Sequence, residues 1–341
     1  TAAGIVLTEQ LLAALATPAD LIPTAVLYLR VTLLGILAQL LYNTASAILR
    51  ALGNTTSALH YLAAAVALNI ALDILLLIVI PLGIRGAAAA TVIAQTAAAL
   101  LSLRKLLHLH GAWELRLSRP FFAPHHLLPI LGTSIPAGLQ AVFMSISSLV
   151  IQTYINSFGY AAMAGITVYA RVEGFLYYPL FAFGIALTSF IGQNVGAHDL
   201  ARVRTGLRVS LQLAAGGAMG MALVAGVAAP ALIPLFTDDS AVMENALDAI
   251  YCTFPFYWLY GINQIYIGAI RGLGDTLYPM VTALAAYCVF RVAWCYVWDI
   301  VGIHSMYIVY SAYSASFFVM AALLWVGCRK ALRRKDQMPT A

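Results

Sequence analysis

The chain has 341 residues, of which 62% are hydrophobic and 9% are charged, and its mean hydropathy is +0.90. Soluble domains carry about 25% charged residues, so this composition excludes a soluble enzyme of this length and also a disordered chain. The four cysteines stand in apolar stretches without a CxxC pair, which indicates small buried side chains and neither a disulfide framework nor a metal site. They are Cys252, Cys288, Cys295 and Cys328.

Apolar runs follow one another along the chain. A membrane-spanning helix needs about 20 mostly apolar residues, and the runs lack the alternation of a membrane β-barrel. In lipid, helices then supply the hydrogen bonds that the backbone N–H and C=O groups need, so the sequence predicts an all-α polytopic membrane protein. A shorter apolar run at 4–16 precedes the full spans, and Pro136, Pro179 and Pro255 are expected to kink three of them. The predicted spans are 24–48, 59–82, 86–103, 127–153, 161–189, 209–235, 249–270, 280–300 and 304–327.

Basic residues lie almost entirely on one side of the predicted spans. When the loops are taken alternately, one side carries 14 of the 18 basic residues and the other side only Arg85. The positive-inside rule predicts a multi-pass protein of the cell (inner) membrane with a cytoplasmic C-terminus. This placement accounts for the net charge of +5, so no nucleic-acid partner is expected. The 14 residues are Arg50, Arg104, Lys105, Arg116, Arg119, Arg202, Arg204, Arg208, Arg271, Arg329, Lys330, Arg333, Arg334 and Lys335.

The longest predicted loop, roughly 104–126, separates two groups of spans. A connector of that length between helices is unusual and marks a boundary. We therefore predict an N-terminal bundle at 1–107, a cytoplasmic linker at 108–126, a C-terminal bundle at 127–330 and a basic cytoplasmic tail at 331–341.

A repeat relates the two groups. Arg50-Ala-Leu-Gly53-Asn54-Thr55 closes one span, and Arg271-Gly-Leu-Gly274-Asp275-Thr276 closes another 221 residues later. Each motif follows a polar turn 33 or 34 residues upstream, and each precedes two spans with a basic end. These matched features predict two pseudo-symmetric helix bundles.

The second group carries two additional spans, 127–153 and 161–189, before its repeated part. Because both copies of a structural repeat are expected to contain the same helices, we expect about 90–100 further residues upstream. The complete protein would then have twelve helices, of which about nine and a half are present here. The alternative is a native protein of nine or ten spans.

Two predicted loops carry glycine-containing motifs, Phe190-Ile-Gly192-Gln193-Asn194-Val-Gly196-Ala197-His-Asp199 and Ile270-Arg271-Gly272-Leu273-Gly274-Asp275-Thr276. The first resembles the cytoplasmic GQN-GA loop of the multidrug and toxic compound extrusion (MATE) family, and the second resembles the RG-G-DT loop of that family. The similarity runs from the third family helix to the twelfth. It implies a V-shaped pair of bundles that exports organic cations or other amphiphiles in exchange for Na⁺ or H⁺.

The first group of spans contains one candidate for binding a coupling ion. Asp73 lies roughly 13 Å deep by the helical rise, and Asn69 precedes it by four residues on the same face. Thr91 lies in the first turns of the next predicted helix, near the same membrane boundary. Carboxylate, amide and hydroxyl oxygens suit Na⁺, and the carboxylate alone suits H⁺.

The resemblance sharpens this candidate. In one MATE branch, the first bundle holds a cation site made by an Asp on the first helix, an Asn and an Asp four apart on the fifth, and a Thr on the sixth. Asn69, Asp73 and Thr91 match the last three in spacing, and the first Asp would lie upstream of this sequence. The alternative is a structural network that joins two helices.

Another MATE branch places acids on the seventh and tenth helices. This chain has Met144 and Tyr260 at those positions, which argues against a Na⁺ site of that type in the second bundle. Asn263, near the usual position of a Gln, is retained as a neutral polar group.

The second group contains Glu173 and Arg291 in the middle of spans, where ionisable groups are costly and therefore functional candidates. Glu173 is a candidate counter-charge for an organic cation or a proton carrier, and the alternative is a buried ion pair with Arg291. Nearby aromatic and polar side chains are candidates for cation binding, with plain packing as the alternative. The predicted substrate-binding residues are Gln140, Glu173, Tyr177, Tyr257, Tyr260, Asn263 and Arg291.

Motifs for other chemistries are missing from the sequence. It has no GxxxxGK[ST], HExxH or GxSxG motif and no Cys/His cluster, so we expect no enzyme and no cofactor besides the coupling Na⁺ or H⁺. The prediction is a monomeric secondary antiporter whose partners are the lipid bilayer and small organic cationic or amphiphilic substrates. Two alternatives stay open: a lipid-linked glycan flippase of the same superfamily, whose basic cavity Arg171 and Arg291 would supply, and a membrane receptor or scaffold that does not transport.

Overall fold

A computed structural model of the chain describes residues 2–14, 22–109 and 124–337, and every regular element in these ranges is helical. The chain divides into two compact units, Thr1–Phe121 (unit 1) and Phe122–Ala341 (unit 2). The predicted all-α polytopic fold is confirmed.

Unit 1 is built from helices that approach one another through glycines. The helices in its described part are α1 (Ala2–Ala14), α2 (Ile22–Ala51), α3 (Thr55–Asp73), which a π-helical turn prolongs at Ile74–Val79, and α4 (Ile84–Leu107). α4 packs against both α2 and α3. A side-chain carbon at Gly86 would stand 2.6 Å from the Leu76 carbonyl oxygen, so glycine lets α4 lie directly against the π turn.

Unit 2 is organised around two helices, α6 and α9, with α7, α8 and α12 packed on them. At the crossing of α6 and α9, a side-chain carbon at Gly268 would collide with the Gly184 carbonyl oxygen, so only glycine permits this approach. The helices of unit 2 are α5 (Pro124–Asn156), α6 (Tyr160–Gly196), α7 (Leu200–Leu232, then a 3₁₀ turn Ile233–Leu235), α8 (Ser240–Thr253), a 3₁₀ turn (Phe254–Phe256), α9 (Tyr257–Gly272), α10 (Leu277–Ala283), a π turn (Leu284–Phe290), α11 (Arg291–Ile300) and α12 (Met306–Asp336).

Eight helical stretches in the described ranges are long and apolar enough to cross a membrane. The predicted span 249–270 is not one straight helix, because the chain breaks into the 3₁₀ turn around Pro255 between α8 and α9. Proline lacks the N–H that a continuous helix requires. By contrast, α5 and α6 continue through Pro136 and Pro179. The stretches are Ala25–Ala51, Thr55–Val79, Ile84–Leu107, Leu127–Asn156, Tyr160–Gly196, Leu200–Leu235, Leu277–Ile300 and Met306–Asp336.

The two repeated motifs fold into the same turn. Gly53 and Gly274 have φ values of +81° and +97°, and the amides that follow them donate to the carbonyl groups of Leu49 and Ile270. This is the geometry of a Schellman cap, which ends a helix with a left-handed glycine. The next residue, Asn54 or Asp275, then accepts a hydrogen bond from a backbone N–H in the first turn of the following helix. The repeat that was predicted from spacing therefore has a matching backbone structure.

The predicted linker and the predicted tail differ in how much of them the structure describes. α12 runs to Asp336, so residues 331–336 of the predicted tail are helical, and Asp336 forms an ion pair with Arg204 of α7. Most of the predicted linker 108–126, with Arg116 and Arg119, lies outside the described residues.

Candidate functional site

The candidate ion site in unit 1 lies where α3 passes into its π turn. Asp73 is the last residue of α3, is half-buried, and its side chain has no hydrogen-bond or ion-pair partner in the described part of the chain. Asn69 lies one turn earlier, and its buried Nδ2 atom also has no partner. Because the two ends of an amide exchange by a flip, the same position can present an oxygen. A π turn inside a helix often accompanies a functional site, and this one follows an unpaired carboxylate.

Thr91 lies on α4, the helix that packs against α3. Its Oγ1 donates a hydrogen bond to the Ala87 carbonyl oxygen at 3.0 Å, which leaves the hydroxyl lone pairs free to accept or to bind a cation. No hydrogen bond joins Thr91 to Asn69 or Asp73 within the described ranges, so the three predicted ligands lie on two adjacent helices without a hydrogen bond between those helices' ligands. Their oxygens are the type that Na⁺ prefers, and the Asp73 carboxylate alone can take a proton.

Glu173 lies near the middle of α6, one of the spanning helices of unit 2. Its Oε1 atom accepts hydrogen bonds from the hydroxyl groups of Tyr257, at 2.8 Å, and Tyr169, at 3.1 Å. Tyr169 in turn lies 3.1 Å from the buried Thr253 hydroxyl. Glu173 is therefore held by protein donors from α6 and α9, in contrast to Asp73.

A concavity of about 210 Å³ opens beside Glu173. It is lined by Ala170, Glu173, Gly174, Tyr177 and Tyr178, which all belong to α6. A carboxylate next to two phenol rings and a glycine is an arrangement that suits a small organic cation, because the rings attract positive charge and the glycine leaves room.

The three predicted tyrosines form one aromatic group next to this concavity. The rings of Tyr177 and Tyr260 stack with their centroids 5.3 Å apart, and the Tyr257 ring lies 5.2 Å from that of Tyr260. Tyr257 is completely buried, and the Tyr260 hydroxyl is hydrogen-bonded by Gln264. Tyr177 lines the concavity, whereas Tyr257 supports Glu173 from the protein interior.

The predicted ion pair between Glu173 and Arg291 is not formed. Arg291 is only 8% exposed, and its guanidinium donates two hydrogen bonds to the Ser316 hydroxyl, at 2.7 and 3.1 Å. It lies 4.2 Å from the ring centroid of Tyr313 and 4.8 Å from that of Tyr287. The Arg291 guanidinium is thus contacted by two aromatic rings and the Ser316 hydroxyl, and not by the Glu173 carboxylate that the sequence analysis considered as its partner.

Two of the predicted substrate-binding residues lie away from Glu173 and its concavity. Asn263 is fully buried and donates to the Phe317 carbonyl oxygen and the Tyr287 hydroxyl, so it belongs to the packed interior, although its Oδ1 atom has no partner. Gln140 of α5 accepts a hydrogen bond from Arg271 at 2.8 Å, at the end of α9. Gln140 therefore joins α5 to the repeated motif.

Several contributing residues were missed by the sequence analysis. Tyr169 and Thr253 complete the hydrogen-bond network of Glu173, and Tyr313 and Ser316 surround Arg291. The spacing of four residues between Tyr169 and Glu173 was the one available signal, since it places both on one helix face.

The arginine pair needed for a basic cavity is not assembled in unit 2. Arg171 is exposed and lies 5.9 Å from the Phe236 ring, whereas Arg291 is enclosed by aromatic side chains. In the described ranges, no group of three or more His, Cys, Asp or Glu side chains could hold a metal ion, and the four cysteines are free.

The fold is that of a polytopic membrane protein with ionisable residues inside its spanning helices. The chain belongs to the MatE family, whose family model matches residues 1–75 and 136–297. This family consists of transporters and not of enzymes.

Curated relatives extend the match over most of the chain. It is 34% identical over 294 residues to the probable multidrug resistance protein YpnP of Bacillus subtilis, covering 85% of this chain and 65% of the relative. It is 27% identical to YoeA, another probable multidrug resistance protein of the same bacterium, over 83% of this chain and 63% of the relative. The chain thus spans a little less than two thirds of the length of these relatives.

Solved structures share the fold. The bent form of the Vibrio cholerae MATE transporter VcmN is 22% identical, with a TM-score of 0.88 over 98% of this chain and 75% of that one. The outward-facing structure of a multidrug resistance MATE family transporter is 20% identical, with a TM-score of 0.90 over 98% of this chain and 75% of that one. The two-bundle, all-α fold class predicted from the sequence is confirmed by these structures.

Proposed function

We propose that the protein is a secondary antiporter that exports organic cations in exchange for Na⁺ or H⁺. The observation that carries the proposal is the Asp73 carboxylate, which lies on a spanning helix without a protein partner in the described ranges. An ionised carboxylate in that environment is costly unless it binds a cation or a proton. The buried, unpaired Asn69 amide beside it supplies a second ligand, and Thr91 on the adjacent helix is the third.

In this proposal, the substrate binds at Glu173. The concavity beside Glu173 offers a negative charge and aromatic faces, which together suit a cationic amphiphile. Antiport requires that ion binding at Asp73 and substrate binding at Glu173 weaken each other by the same factor, because coupling free energies are reciprocal. The names of the relatives as probable multidrug resistance proteins support a broad substrate range.

The proposal includes the localisation and topology of the protein. We propose that it spans the cell (inner) membrane with its C-terminus in the cytoplasm, because the basic residues lie on the same side of the spans as the C-terminus. It functions as a monomer.

The experiment is ion-driven efflux in vesicles that contain the natural protein. The Asp73→Asn variant removes the ionisable group and keeps the shape of the side chain. Asp238→Asn, an exposed acid between α7 and α8, is the matched control. Efflux of a fluorescent organic cation is measured with a Na⁺ gradient alone and with a pH gradient alone, which identifies the ion.

We expect Asp73→Asn to abolish gradient-driven efflux, while the variant still inserts into the membrane and Asp238→Asn is normal. Normal efflux by Asp73→Asn under both gradients would refute the assignment.

A further inference from the structure

The beginning of α7 and the end of α12 lie together at one boundary of the predicted spans. The Arg204 guanidinium of α7 forms an ion pair with the Asp336 carboxylate of α12. Both helices belong to stretches that are long and apolar enough to cross a membrane. The ion pair therefore brings together the basic residues that the two helices carry at this end.

Two exposed arginines of α12 follow an exposed tryptophan along one side of the helix. Trp325, Arg329 and Arg333 are spaced by four residues, which places their side chains on neighbouring turns of the same face. The Arg329 guanidinium lies 3.8 Å from the centroid of the Trp325 ring, in a cation–π contact. Leu324, by contrast, is fully buried in the core of unit 2. Tryptophan favours the level of the lipid headgroups, so the stack places Arg329 at that level.

α7 adds a second pair of exposed arginines. Arg204 and Arg208 lie one turn apart on the same face, and Arg208 is the last residue before the predicted span. Asp336 neutralises Arg204. Arg208, Arg329 and Arg333 form no ion pair in the described part of unit 2, so the protein leaves the charges of three of the four arginines unbalanced.

An anionic phospholipid has the chemistry that complements this end of unit 2. A guanidinium pairs with phosphate oxygens through two parallel hydrogen bonds, and basic clusters next to a spanning helix attract anionic headgroups. Residues 329–336 contain five basic side chains and one acidic side chain, so the attraction is not cancelled locally. Trp325 and Val326 are exposed one turn deeper in α12 and offer an apolar surface to an acyl chain, which a soluble anion would not use.

We propose that the joined ends of α7 and α12 form a docking site for an anionic phospholipid. Arg208, Arg329 and Arg333 bind its phosphate, and Trp325 contacts its acyl chain. The bound lipid balances the positive charge that the protein leaves unpaired at this end. The inference does not depend on transport or on which side of the membrane this end of unit 2 faces.

The test is equilibrium binding of phosphatidylglycerol with a fluorescent acyl chain to the purified natural protein in a neutral detergent. Phosphatidylcholine with the same label is the comparison lipid, because its choline group balances the phosphate charge. Two variants remove charge from the two helices of the site separately. They are the double variant Arg329→Gln/Arg333→Gln on α12 and the single variant Arg208→Gln on α7.

The matched control is the double variant Arg104→Gln/Lys105→Gln, which removes two basic residues from the end of α4 in unit 1. It changes the net charge of the protein by the same amount as the α12 variant, so it measures the effect of charge without the site. If the α12 double variant does not fold, Arg329→Gln and Arg333→Gln carry the test as single substitutions.

We expect phosphatidylglycerol to bind more tightly than phosphatidylcholine, and each arginine of the site to contribute about fivefold. The α12 double variant should then weaken the binding of phosphatidylglycerol about 25-fold and Arg208→Gln about fivefold, while the control binds normally. Equal binding of the two lipids, no effect of Arg208→Gln, or an equal loss of affinity in the control would overturn the proposal. Displacement of the lipid by inorganic phosphate or an acidic peptide at the same concentration would also overturn it, since the site would then bind soluble anions.

Discussion

The two units hold their membrane-embedded carboxylates in different ways. In unit 1, Asp73 stands without a protein partner in the described ranges and is followed by a π turn. In unit 2, Glu173 accepts hydrogen bonds from the hydroxyl groups of two tyrosines. A membrane-embedded carboxylate without protein hydrogen bonds is stabilised by binding a cation or a proton. A carboxylate that accepts protein hydrogen bonds is stable without a bound ligand. We propose that this difference separates ion binding in unit 1 from substrate binding in unit 2.

The repeat makes this contrast sharper. The helix that follows the Gly53-Asn54 turn is α3, which ends in a π turn. The helix that follows the Gly274-Asp275 turn is α10, which a π turn joins to α11. The charged residue next to the π turn is acidic Asp73 in unit 1 and basic Arg291 in unit 2. The helices that follow the two repeated turns therefore carry embedded charges of opposite sign, with Asp73 before its π turn and Arg291 after its π turn.

The largest effect is expected from the removal of the acid in unit 2. Glu173→Gln should weaken the binding of an organic cation by about 2–3 kcal/mol, or roughly 30- to 150-fold, because the ligand loses a charged partner next to aromatic rings. Equilibrium binding of a fluorescent cation to the purified protein measures this. Glu244→Gln, an exposed acid on α8, should bind normally. If Glu173→Gln binds the cation as tightly as the natural protein, the substrate lies elsewhere.

A smaller effect is expected from a change in helix packing in unit 2. Gly268→Ala places a methyl group against the Gly184 carbonyl and should destabilise the protein by about 2 kcal/mol, the usual cost of overpacking. Gly216→Ala, where no atom lies within 4 Å, is the control and should unfold at the natural temperature or slightly above. Thermal unfolding in detergent compares the two. An unchanged unfolding temperature for Gly268→Ala would show that α6 and α9 do not cross as described.

The smallest effect, and the one with opposing signs, is expected in unit 1. Asn69→Leu removes a buried amide nitrogen that has no partner, so it should stabilise the protein by about 1 kcal/mol. The same change should weaken binding of the coupling ion about fivefold, because one hydrogen-bonding ligand is worth about 1 kcal/mol. Asn43→Leu, at an exposed position on α2, controls for added apolar surface. Loss of stability together with unchanged ion affinity would make Asn69 a structural residue.

The sequence predicted the parts of the structure that follow from local chemistry. The repeated turns require a glycine in a left-handed conformation followed by an amide or carboxylate acceptor, and both motifs contain them. The long apolar runs form helices of spanning length, as predicted, because the thickness of the bilayer sets the length that a spanning helix needs. The span that contains Pro255 was the exception, because spacing alone does not tell whether a proline is absorbed, as at Pro179, or breaks the helix.

Contacts between distant helices were beyond the sequence. Thr253 meets Tyr169 across 84 residues, and neither residue is distinctive by type. Arg291 and Glu173 were correctly singled out as buried charges, but the ion pair did not form because aromatic side chains of α12 and the second π turn enclose the guanidinium. Gln140 lies against Arg271 for a similar reason, since the packing of α5 on α10 decides what it faces.

The most direct measurement is the release of the coupling ion when an organic cation is added to purified protein, with Na⁺ and H⁺ both monitored. The account predicts that the natural protein releases one of these ions upon substrate binding. Asp73→Asn should bind the substrate and release no ion, whereas Glu173→Gln should hold the ion and bind the substrate poorly. Ion release by Asp73→Asn equal to that of the natural protein, or loss of ion binding in Glu173→Gln, would contradict the division of labour between the two units.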